Sequence, residues 1–129
     1  MSGFSECGER DDVLAELLAA LAALPSPQTA PLRSLRRAFS RRLARCPAAF
    51  ILDLSFALLE RGSFVHRFVA YELVSHHAAA LRGVGREELE RLGAGKDFLD
   101  EHARSLPARV IREVGNKLAT GLKNPPKHR

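Results

Sequence analysis

Histidine and cysteine are the residues in this chain best suited to hold a metal or attack an electrophile, and their spacing argues against both. His66, His76, His77, His102 and His128 are scattered, with Glu72 one helical turn before His76. A zinc site needs ligands at defined spacing and a second cluster to complete the shell. His76 and His77 are adjacent, so on a helix they point to different sides. The histidines read as polar-face residues near a helix end, where a positive imidazole suits the dipole. No metal and no other cofactor is expected. Cys7 and Cys46 are the two cysteines and form no CxxC motif, which suits reduced thiols in a cytoplasm. Arg42 and Arg45 beside Cys46 would favour a thiolate, but a small residue at a helix boundary more simply fills a buried position. No GxSxG, Walker A or HExxH motif occurs. Glu87, Glu88 and Glu90, and then Asp97, Asp100 and Glu101, are interleaved with arginines as on solvated helix faces. Asp97, just after a glycine break, is the one carboxylate placed as an active-site acid would be.

The strongest chemical signal is basic. Residues 32–46, LRSLRRAFSRRLARC, hold six arginines and no acid. Leu32, Leu35, Phe39 and Leu43 recur at spacings of three and four and make one apolar helix stripe. Arg33, Arg37 and Arg41 lie four apart, with Arg36, Arg42 and Arg45 around the rest. Like charges so placed repel by a few tenths of a kcal/mol per pair, roughly, so a polyanionic partner is the natural reading. The chain carries +5 overall, unevenly: −4 over residues 1–31, +6 over 32–46, −2 over 47–108 and +5 over 109–129. Two basic blocks flanking an acidic middle favour phosphate more than an even spread would. Arginine outnumbers lysine 16 to 4, which bidentate phosphate contact or a GC-rich genome would each produce.

These residues must be positioned by helices. The 129 residues suit one domain able to bury roughly two thirds of its unfolded surface. Helices are expected over 11–24, 32–46, 47–61, 63–81, 86–92, 96–106 and 107–122, separated by proline and glycine. Alternating strand patterns are absent. The longest apolar run, residues 13–24, is too short to span a bilayer, and the acidic N-terminus is unlike a secretory signal. The expected organisation is an acidic N-terminal helix and Pro-rich linker (1–31), a helical domain (32–123) and a basic tail (124–129). Pairing 32–61, 63–92 and 96–122 gives three antiparallel hairpins, an all-α, short α-solenoid of the HEAT-like kind. If the first and last hairpins face each other, Arg33, Arg36, Arg37 and Arg41 would line one groove with Arg109, Arg112, Lys117 and Lys123. Arg67 would join them.

Two strings resemble a known family. RGSFVHRFVAYELVSHHAAAL (61–81) is similar to the helix preceding the active site in the DNA alkylation repair enzymes, glycosylases built from HEAT-like repeats. LPARVIREVGNKLATGLKNP (106–125) resembles the C-terminal helix and tail of bacterial members. FLDEHARS (98–105) looks like the lead-in to that helix, and the arginine helix fits an early helix of the family. The resemblance implies a solenoid that cradles duplex DNA on a basic concave face and excises cationic N3- or N7-alkylated purines. It also implies a catalytic aspartate and tryptophans placed after the segment matched to 61–92. Here ERLGAG (90–95) runs almost directly into KDFLDEHARSLPARV, and the chain has no tryptophan. The catalytic middle is missing, and Asp97 is its nearest substitute by position.

The expectation is therefore a cytoplasmic binding module that contacts double-stranded DNA through phosphates and has lost catalysis. The alternatives are an active 3- or 7-alkylpurine glycosylase using Asp97, and a helical scaffold whose basic groove takes an acidic protein or the chain's own acidic N-terminal helix. With no tryptophan and one tyrosine, single-strand or flipped-base recognition is poorly served. Backbone contact to a duplex needs no aromatic groups.

Overall fold

Apolar residues spaced three and four apart, broken by proline and glycine, produce helices close to where periodicity places them. The computed structural model describes residues 7–26, 28–93, 96–101 and 107–123, without the side chains of residues 96, 98 and 118–123. Among these residues there are eight helices and no strand: α1 (Arg10–Ala22), α2 (Thr29–Arg42), α3 (Ala48–Leu59), α4 (Phe64–Ser75), α5 (Ala78–Arg82), α6 (Arg86–Arg91), α7 (Lys96–Glu101) and α8 (Pro107–Lys123). None of the described helices is long and apolar enough to cross a membrane. The expected tail (124–129), His102, His128 and the Lys123 side chain lie outside the described residues.

Helix α4 is the hub. It buries Phe68, Val69, Ala70, Tyr71, Leu73 and Val74, apolar nearly all round, as a helix enclosed by others must be. Its most extensive partners are α3 before it and α8 far beyond it, with α2 and α5 also against it. The hairpin expected over 32–61 does not form the main pair: α2 packs on α4 and α1 more than on α3. The sequential pair is instead α3–α4, joined by a turn in which Gly62 (φ +84°) takes the left-handed conformation. Leu17, Leu32, Leu54, Leu58 and Phe68 are wholly buried, each contributing about 1.5–3 kcal/mol by leaving water.

Helix α1 belongs to this core. Val13, Leu14, Leu17 and Leu21 are buried, and the helix packs on α3 and α2. The arginine helix begins at Thr29, so Pro31 is its third residue, where a missing N–H leaves no intrahelical bond unmade. The expected division at residue 31 therefore falls inside α2.

Three further expectations are corrected. Cys7 and Cys46 are not reduced thiols but a disulfide, with Cα atoms 5.8 Å apart, tying the entry to α1 to the α2–α3 turn. Docking of α1 brings them together, and a separation of 39 residues along the chain carries no such distance. The ground for a cytoplasmic setting, and any thiolate at Cys46, go with that correction. Cys46 is buried, as its size suggests. The single helix expected over 63–81 is cut in two at His76–His77. His77 is not a polar-face residue. It is buried, its Nδ1 accepts the Ala80 N–H (3.1 Å) to cap α5, and its Nε2 lies 3.2 Å from the Leu43 carbonyl. That pair of contacts selects the tautomer with the proton on Nε2, donating to Leu43.

Candidate anion-binding clefts

Helix α2 reaches the rest of the fold through its arginines as well as its leucines. Arg36 is buried, and its Nε donates to Glu72 Oε1 at 3.0 Å. Arg33 Nε lies 3.5 Å from the other carboxylate oxygen, and its guanidinium sits 5.6 Å from the centre of the Phe68 ring. The arginine helix thus has no internal acid because its acid comes from α4. Glu72 is the one acid between Glu60 and Glu87. A carboxylate in so apolar a helix requires a cationic partner, and that was the available signal for this contact. At the other end of α2, Arg42 pairs with Glu16 of α1 at 2.6 Å. Glu16 is the one α1 acid paired with α2 among the described residues, so the acidic helix does not cover the Arg33–Arg37–Arg41 stripe.

Beside the Glu72 pair, α2, α4 and α8 enclose an open cleft of about 460 Å³. Arg33, Arg36 and Arg37 line one wall and Arg112 the other, with Glu72 and His76 on the floor. Four guanidiniums face one carboxylate. Among the described residues no acid lies within ion-pair distance of Arg37, Arg41, Arg45, Arg109 or Arg112, and all five are exposed. Burial of the His76 ring by the cleft walls lowers its pKa below the free value, although the residue as a whole is exposed. The Arg36 cation lowers it further, Glu72 opposes, and Arg33 and Arg112 add to the lowering. His76 is therefore a neutral ring among cations, and an anion in the cleft would favour its protonated form.

Of the residues expected to share one groove, Arg33, Arg36, Arg37 and Arg112 line this cleft together. Arg41 continues the exposed stripe one turn beyond Arg37. Arg109 is exposed on α8 outside this lining. Arg67 and Lys117 are brought together elsewhere, in a second cleft of about 480 Å³ between α4, α6 and α8. Tyr71 lies between the two clefts and lines both. Asp97 is exposed on α7 and lines neither cleft. No group of three or more His, Cys, Asp or Glu side chains among the described residues is placed to hold a metal ion. No protein-family model, curated protein or solved structure matches the chain.

Proposed function

We propose that the chain is a duplex-DNA-binding module that grips phosphates through the α2–α8 cleft. In this reading it is a short HEAT-like relative of the DNA alkylation repair glycosylases without their catalytic segment. The observation that carries the reading is the meeting of Arg33 and Arg37 with Arg112 across one open cleft, with four guanidiniums set against a single carboxylate. Arg41 and Arg109 extend this surface. Arg36 acts on the scaffold side, holding Glu72 rather than reaching outward. Phosphate contact supplies affinity without base readout. The resemblance in residues 61–81 and 106–125 supports duplex DNA over other polyanions. The exposed position of Asp97 away from either cleft favours binding over base excision.

The test is a salt titration of binding to a short duplex. Arg33, Arg37, Arg41, Arg109 and Arg112 would neutralise about five phosphates, giving a slope of log K against log salt near −4.5. Replacing Arg37 and Arg41 together by Glu, both exposed, abolishes binding without unfolding the chain. Unchanged affinity in that variant, or no binding at low salt, refutes the proposal.

A further inference from the structure

The α2–α8 cleft is deep as well as basic. Ile111 and Tyr71, both buried, line it together with the exposed Arg37 and Arg112, so it runs from the surface to the core. Its volume of about 460 Å³ falls within the roughly 300–1,000 Å³ usual for small-ligand sites. A duplex, whose major groove alone is roughly 12 Å wide, can only lie across the mouth of such a cleft. Two of the cations are fixed before any ligand arrives. Arg36 is buried with its Nε on Glu72, and Arg33 is held between the same carboxylate and the Phe68 ring. Fixed donors lose little freedom on binding. Glu72 is the one acid among the lining residues, so four guanidiniums against one carboxylate leave three positive charges in excess.

We propose, resting on the duplex-binding reading above, that this cleft takes the terminal phosphomonoester of a DNA strand and that the module prefers phosphate-bearing ends. An internal phosphodiester carries one negative charge and is tied to a sugar on both sides. A terminal monoester carries about 1.5–2 negative charges at neutral pH and is tied on one side alone, so it can leave the surface of the duplex and enter the cleft. It also answers the excess positive charge more fully than a diester does. Arg37 and Arg112 meet it from opposite walls, with the anchored Arg33 and Arg36 beside Arg37. Arg41 and Arg109 are exposed outside the lining and contact internal phosphates of the same duplex.

Three duplexes of one sequence separate the end group from added charge. One has hydroxyl ends; one carries a single terminal phosphate, placed at the 5′ and at the 3′ end in turn; one has hydroxyl ends and one further base pair. That base pair brings two backbone charges, close to those of a terminal monoester. At either end, the phosphorylated duplex is expected to bind about tenfold more tightly than the longer one, the worth of one charge-assisted contact. Arg112→Gln, and separately Arg37→Gln, should reduce this preference to less than about threefold. Arg41→Gln should weaken all the duplexes by a similar factor and leave the preference intact. A nucleoside monophosphate should bind at least about a hundredfold more weakly than the phosphorylated duplex, since it lacks the outer contacts. Equal affinity for the phosphorylated and the longer duplex overturns the inference while duplex binding stands. So does a preference that survives in both Arg112→Gln and Arg37→Gln. A nucleoside monophosphate binding as tightly as the phosphorylated duplex overturns it too, assigning the cleft to a free phosphomonoester. Failure of every duplex to bind at low salt removes the duplex-binding reading, and this inference with it.

Discussion

Replacing Glu72 by Gln tests whether the arginine helix is held in place by a buried charge. The Glu72 and Arg36 side chains are 12% and 7% exposed and meet at 3.0 Å. Removing the carboxylate leaves the Arg36 cation buried without a counter-charge, a loss worth about 3–5 kcal/mol for a buried pair. Gln can still accept the Nε hydrogen bond, so the lower end, about 3 kcal/mol, applies. At roughly 4 °C per kcal/mol for a chain of this length, Tm should fall by about 12 °C. Arg33→Gln removes the outer half of the cluster, where the arginine is 40% exposed, and should cost less than about 0.5 kcal/mol. Changing Arg36 and Glu72 together to Met should restore much of the loss, since an apolar pair leaves no buried charge. Thermal and urea unfolding of the single and double variants measure the coupling. A Tm within about 2 °C of the parent, or equal costs for Arg33→Gln and Arg36→Gln, would refute the reasoning.

Three further outcomes follow from the described contacts. His77→Ala should cost about 2–4 kcal/mol in urea unfolding, because it removes the α5 cap and leaves the buried Leu43 carbonyl and Ala80 N–H unpaired; His77→Asn, which can still cap, should fall between. Because the folded pKa of His76 is lowered, the ring is neutral in both states above about pH 6.5, and its share of stability is lost as pH falls below that value and the unfolded chain takes up the proton; DNA binding should take up a proton and tighten with acid in the parent more than in His76→Gln, read by binding at two pH values. Reducing the Cys7–Cys46 bond, which closes a loop of 39 residues, should lower stability by up to about 4 kcal/mol, with two thiols titrating after reduction and none before.

Much of the fold was legible from local pattern. The leucine stripes of α1 and α2, Pro47 before α3, the break after Gly83 and the Val110–Ile111 stripe of α8 depend on contacts within a few residues. Periodicity reports those directly. The break at His76–His77 was not legible, because it depends on a carbonyl from residue 43 and on a capping role that asparagine or serine fills more often. The principal packing of α8 on α4 was missed for a related reason. Helices adjacent in sequence were expected to pair, whereas α4 buries apolar residues on more than one side and packs against both α3 and α8. The candidate site was half legible. That the two basic blocks share one cleft was foreseen through Arg33, Arg36, Arg37 and Arg112, but the placing of Arg67 and Lys117 in another cleft was not.

By itself the sequence determined the helical class, the absence of strands among the described residues, and two basic blocks around an acidic middle. These follow from residue type and spacing, which act over one or two turns. Only the tertiary structure decided what the charges do. Arg36 turns inward because Glu72 sits opposite on α4; Arg37 and Arg41 stay exposed because no acid reaches them among the described residues. Cys7 and Cys46 bond because α1 docks beside the α2–α3 turn. In each case the deciding partner lies dozens of residues away, at a distance that packing sets and local spacing does not record.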